Sequence, residues 1–141
     1  MAITFLSEGI SFTLKQKTLH RSWLKQVIAT EKQQAGEISY VFVDDEYLLK
    51  INQQFLKHNF YTDIITFDYS EPVNKVIAGD LMISIDRVKD NAKQLGVAFE
   101  EELRRVMVHG VLHLCGYKDK KPADVKKIRS REGYHLKRFV Q

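Results

Sequence analysis

A chain of 141 residues, 44% hydrophobic and 28% charged, has the size and balance of one folded domain (residues 1–141) that buries a core without cross-links. Its apolar runs, such as Leu81-Met82-Ile83, fall far short of the ~18 residues of a membrane span, and its start lacks the basic stretch and apolar block of a secretory signal. The lone Cys115 fits a cytoplasmic protein, and the formal charge of +4 is uneven, with nine lysines and arginines against three acids from Lys118 to Arg138, a balance that attracts polyanions.

In chain order, Ile3 to Phe5 and Ile10 to Leu14 alternate like two strands around a Ser7-Glu8-Gly9 turn. Thr18 is placed to cap a helix in which Leu19, Trp23, Val27 and Ile28 recur at helical spacing, running up to Gly36. Glu37 to Val43 is a β-rich run. Asp44 or Asp45 then caps a helix carrying Tyr47, Leu48, Ile51 and Phe55. Ile64 to Phe67 and Val76 to Ile85 read as strands joined by a loop with Pro72, and Asp86 to Leu95 as a short helix stopped by Gly96. From Phe99 onwards Leu103, Met107, Gly110, Val111 and Leu114 share one helical face, which ends before Gly116. Pro122 and Asp124 open a last, basic helix to about Phe139. Strands and about five helices are intermixed, so the fold class is α+β with a small mixed sheet.

Chemistry concentrates in the segment from His109 to Asp119. Two histidines four apart on a helix differ by only about 40° in direction, so His109 and His113 project from neighbouring turns of one stripe and suit two positions of a tetrahedral metal. Gly116 reverses the chain and lets Asp119 swing back as a third ligand, leaving one position open, as in catalytic sites. Cys115 points away from the stripe and is expected as a buried free thiol. The spacing matches the ligand pattern of metzincin-type proteases, but Gly110 stands where their glutamate follows the first histidine, and Glu102 lies ~10 Å along the helix from His109. Peptidase chemistry is disfavoured.

The run His109-Gly110-Val111-Leu112-His113-Leu114-Cys115-Gly116-Tyr117 resembles the signature H-G-x-L-H-L-x-G-Y-D-H of the YbeY endoribonucleases, the rRNA maturation factors. Thr62-Asp63-Ile64-Ile65-Thr66-Phe67 is similar to the family's T-D-V-L-S-F strand, and Gly79-Asp80-Leu81-Met82-Ile83-Ser84 to its G-D-I-x-I-S strand. The chain departs from the pattern at Asp119, where the family has a third histidine, at Lys118 for an aspartate, and at Leu56 for an arginine, whose charge Lys57 or His58 is placed to supply. An aspartate ligand adds negative charge and weakens the Lewis acidity of the ion.

The resemblance implies a four-stranded α+β fold with a zinc-like site in a cleft, acting in small-subunit ribosomal RNA processing and ribosome quality control. The reading is a Zn2+-dependent single-strand endoribonuclease with His109, His113 and Asp119 as ligands. Asp63 and His58 are the candidate proton carriers, and Lys57, Lys120, Lys121, Lys126, Lys127 and Arg129 hold the RNA backbone. Tyr61 and Tyr117 are weighed as base-stacking aromatics against packing roles. Its partners are single-stranded RNA and the ribosomal small subunit or its proteins, with no membrane. Two other classes stand beside it: a non-catalytic, metal-stabilised RNA- or ribosome-binding module, and a metallohydrolase of another bond.

Overall fold

The computed structural model describes residues 3–139. Among them, four strands form one sheet: β1 (Ile3–Ser7), β2 (Gln34–Val43), β3 (Ile64–Asp68) and β4 (Val76–Ser84), in the order β1-β2-β4-β3. The β1–β2 and β2–β4 pairs are parallel and β3 runs antiparallel to β4, so the sheet is mixed as expected. Strand alternation sends Ile38, Tyr40 and Phe42 of β2 and Ile77, Leu81 and Ile83 of β4 to one face. There they form the main core with α1 (Lys17–Thr30), α3 (Ile85–Leu95) and α4 (Phe99–Leu114). The other face is covered by α2 (Asp45–Leu56), whose Leu48 and Ile51 pack with Val41, Val43 and Ile65.

The site depends most on α4. Its Leu103, Val106, Met107, Val108, Val111 and Leu112 are buried, and Tyr40 Oη donates a 2.8 Å hydrogen bond to Met107 O from the sheet below. Gly110 explains the close seat of this helix. A Cβ there would stand 2.8 Å from Ile64 Cδ1 and 3.0 Å from Leu81 Cδ2. The position that carries a glutamate in zinc proteases is therefore committed to helix–sheet packing. Gly116, at φ 105°, ends α4 with its N–H on His113 O and the Tyr117 N–H on Leu112 O, both at 3.0 Å, a Schellman pair. After it, α5 (Pro122–Leu136) starts with proline at its first turn and packs on α4.

Several expected boundaries move. Ile10–Leu14 is not a strand: Gly9 at φ 73° turns the chain, Ser7 Oγ donates to Phe12 O, and Phe12 packs on Phe42 and Phe99. Its apolar residues close one end of the core instead of pairing. Thr18 lies inside α1, which starts after a left-handed Gln16 with no side-chain cap. The same helix ends at Thr30, because Lys32, at φ 63°, turns the chain into β2 well before Gly36. Asp44, not Asp45, caps α2 by accepting from the Tyr47 N–H at 2.8 Å; Asp45 instead receives Ser84 Oγ–H and Arg87. The last helix stops at Leu136, short of Phe139. Among the described residues no helix is long and apolar enough to cross a membrane.

Candidate metal centre

The two histidines present their rings from successive turns of α4, and the turn at Gly116 brings Asp119 back to them. His109 Nε2 and His113 Nε2 are 3.0 Å apart, and Asp119 Oδ2 lies 3.2 Å from the second and 3.5 Å from the first. All candidate ligand atoms fall within 4.8 Å of one another. Cys115 stands outside this group; it is half-buried, and burial pushes its thiol up to about 12, so it stays protonated at neutral pH.

The hydrogen bonds behind the rings decide what the front can hold. Tyr117 O can only accept, so His113 Nδ1 carries the proton and donates to it at 2.9 Å. His109 Nδ1–H likewise donates to the Glu132 carboxylate at 2.5 Å. In the neutral rings that this leaves as metal ligands, both Nε2 atoms present lone pairs toward each other and a carboxylate oxygen. Three acceptors aimed at one point repel unless a cation lies among them. A tetrahedral ion with bonds of ~2.0–2.1 Å separates its ligand atoms by roughly 3.3–3.4 Å, and the observed edges bracket that value. The donor set fits a divalent transition metal.

Behind the histidines is a buried charge cluster that the spacing argument did not reach. Arg105 donates to both oxygens of Glu102, at 2.8 and 2.5 Å, and to Glu132 at 3.4 Å, and its Nη2 lies 3.7 Å from Asp63 Oδ2. Glu102 and Glu132 are 1% and 2% exposed, and the Glu102 hydrogen bond above all holds the Arg105 guanidinium far above its ordinary range. Asn91 Nδ2–H donates to Asp63 at 3.1 Å and to Glu102 at 3.4 Å. Arg105 was findable, since it falls on the Glu102–His109 stripe. Glu132 carried a fainter signal: it is the one acid beyond the first turn of a basic helix.

A second network fixes the turn after the site. Glu31 accepts from Tyr117 Oη at 2.7 Å, from Arg131 at 2.7 Å and from His135 Nε2–H at 2.6 Å. Burial would raise the Glu31 carboxyl, but the bonds from His135, Tyr117 and Arg131 outweigh it and hold it below its usual range. Tyr117 is pinned by this bond, and Tyr61 by a 2.6 Å bond to Glu46 and by Arg87 over its ring. These contacts fix both hydroxyls and set one cation over each ring.

The three donors open onto a cleft of 530 Å³ that also exposes Asp63, His58, Lys120, Leu56 and Phe60. Both candidate proton carriers and one of the six cationic candidates thus line the same cleft as the donors. Lys127 lies over the Tyr117 ring, 5.7 Å from its centre, in a different recess lined by Glu31 and Cys115. Lys57, Lys121, Lys126 and Arg129 are exposed outside the cleft lining.

A sequence profile of the family described as Endoribonuclease YbeY matches residues 3–140. The chain belongs to the endoribonuclease YbeY family. An Endoribonuclease YbeY of Flavobacterium psychrophilum is 52% identical over 130 residues, covering 92% of this chain and 91% of that protein. The Cytophaga hutchinsonii protein of that name is 48% identical over 134 residues, covering 95% and 93%. The solution structure of a Thermotoga maritima protein superimposes with a TM-score of 0.66 at 25% identity, covering 96% of this chain and 87% of that one. Membership bears out the resemblance read from the His109–Tyr117 signature, and the mixed four-stranded sheet with five helices among the described residues bears out the fold class. At the positions where this YbeY chain departs from the pattern, Asp119 meets both histidines and Leu56 lines the cleft.

Proposed function

We propose that this chain is a metal-dependent endoribonuclease that hydrolyses phosphodiester bonds of single-stranded RNA in the maturation of ribosomal RNA. The observation that carries the reading is the closed triangle of His109 Nε2, His113 Nε2 and Asp119 Oδ2, facing a cleft within a YbeY-family chain. In this reading the ion is zinc, which two neutral imidazoles and a carboxylate suit. When bound it supplies Lewis acidity toward water and a phosphoryl oxygen.

The chain's own residues do the rest. Glu132 and the Tyr117 carbonyl hold the His109 and His113 rings with Nε2 forward. Asp119 adds the negative charge that completes the donor set. In this reading Asp63, which accepts from Asn91 and lines the cleft, takes a proton from water, and His58, also in the lining, is the second proton carrier. Lys120 holds a phosphate beside the donors, while Lys57, Lys121, Lys126, Lys127 and Arg129 track the backbone further out. The reading extends to one domain working in the cytoplasm beside the ribosomal small subunit.

Cleavage of a single-stranded oligoribonucleotide, with and without chelator, tests this. Cleavage by wild type that stops on chelation, returns with zinc and is missing from His113→Ala supports it. RNA binding with no metal-dependent cleavage to lose would instead indicate a binding module.

A further inference from the structure

We infer that Phe60 and His58 form a stacking platform for one unpaired base of the RNA strand, set in the wall of the cleft beside the metal donors. The inference rests on the endoribonuclease reading and names the part of the substrate this wall takes. The loop between α2 and β3 carries the platform. Phe60 is 55% exposed, an unusual place for a phenylalanine, yet it lines the cleft shared by His109, His113 and Asp119. Its ring stacks on that of His58, with centroids 5.0 Å apart and planes 21° from parallel. Such a pair leaves outer π-faces for a third ring, and base-on-aromatic stacking tolerates any base.

The loop is built to hold this shape. Buried Asn52 donates from Nδ2 to Phe60 O at 2.9 Å, and its main-chain carbonyl accepts the His58 N–H at 3.1 Å. Gln53 Nε2–H donates to Asn59 Oδ1 at 2.6 Å, and Lys57 turns the chain at φ 56°. Tyr61 next door is tied to Glu46, carries Arg87 over its ring and is not part of the cleft lining, so the aromatic surface offered to the cleft is that of Phe60 and His58. The chemistry around it sorts by ligand part. Leu56 and Phe60 give the cleft apolar lining, while Lys120, together with a cation held by the His109–His113–Asp119 group, would take phosphate. That division fits a base and its adjoining phosphate on a single strand; in a duplex the base is already stacked and its face is unavailable.

The test measures binding of a short, nuclease-resistant single-stranded oligonucleotide (2′-O-methyl, phosphorothioate) to the metal-loaded protein by fluorescence anisotropy, with an abasic site walked along it. Phe60→Ala is expected to weaken binding roughly 5- to 100-fold, and Phe60→Trp to restore it with quenching of the new indole. Trp23 is buried and contributes a constant background. At one position the abasic site should cost wild type the same factor and cost Phe60→Ala nothing further. Equal binding by wild type and Phe60→Ala, or a Phe60→Ala defect that persists at every abasic position, overturns the platform. Metal-dependent cleavage by wild type alongside either result leaves the endoribonuclease reading standing, so the two ideas fail separately.

Discussion

The wall of the cleft that carries His109 and His113 is a buried helix, whereas the wall from Leu56, the last residue of α2, to Asp63 runs through a loop, with Leu56, Phe60 and Tyr61 exposed. On the helix side each ring is fixed from behind by a hydrogen bond, and Gly110 seats the backbone tightly against β3 and β4. On the loop side the backbone is held by Asn52, Gln53 and a left-handed Lys57, and the side chains face solvent. The difference follows the chemistry. In the proposed reading the two histidines are metal ligands, which must be placed to tenths of an ångström, and a seat on the core with hydrogen-bonded partners behind the rings suits that role. A sequence-tolerant grip on RNA needs only an accessible ring and charge, which a surface loop provides.

Substitutions on the helix side should therefore change metal binding first, and those on the rim should change RNA binding first. The largest effect is expected from His113→Ala. Elemental analysis should show bound metal falling from near one ion per chain to background, with cleavage lost; retained metal would move the site elsewhere. Glu132→Gln keeps the shape but weakens the hold on His109, and a competing chelator should read metal affinity about 10- to 100-fold lower. Unchanged affinity would reduce Glu132 to a packing partner of Arg105.

Acid should loosen the region behind the site. Burial, the leading cause for both, lowers His20 and His135 below their ordinary value of 6.5. As pH falls through the unfolded value the unfolded chain binds protons that the folded chain refuses, so stability drops. Glu31, held below 4.5, adds a further loss at still lower pH. Thermal melts from pH 7 to pH 5 should show a falling midpoint, and a flat profile would contradict neutral, buried histidines here. The smallest effect belongs to the rim. Lys120→Ala should flatten the plot of log binding constant against log salt by ~0.7 for a single strand, and an unaltered slope would place the phosphate elsewhere.

The helix side was the more legible in sequence, for a physical reason. Histidines four apart, a glycine stop and a carboxylate three places on are local facts, and helical geometry turns them into a donor triangle without knowledge of the rest of the chain. The strands Ile64–Asp68 and Val76–Ser84 were legible from alternation and apolar runs in the same way. Glu132 and Asn91 were not, because they reach the site only when α5 and α3 pack against α4. Phe60 stayed hidden because an aromatic in a polar loop looks the same in sequence whether it packs inward or faces a cleft. The misread Ile10–Leu14 segment teaches a related point: alternation shows which residues are buried, and it does not show whether a partner strand is there to receive them.

The most direct test of the account is an anomalous-scattering map of crystals grown with zinc. One ion bonded to His109 Nε2, His113 Nε2 and Asp119 Oδ2 at ~2.0–2.2 Å, with a solvent molecule at its fourth position, is the predicted result. A zinc peak elsewhere with none between the histidines, or an Asp119 carboxylate turned outward to solvent, would contradict it.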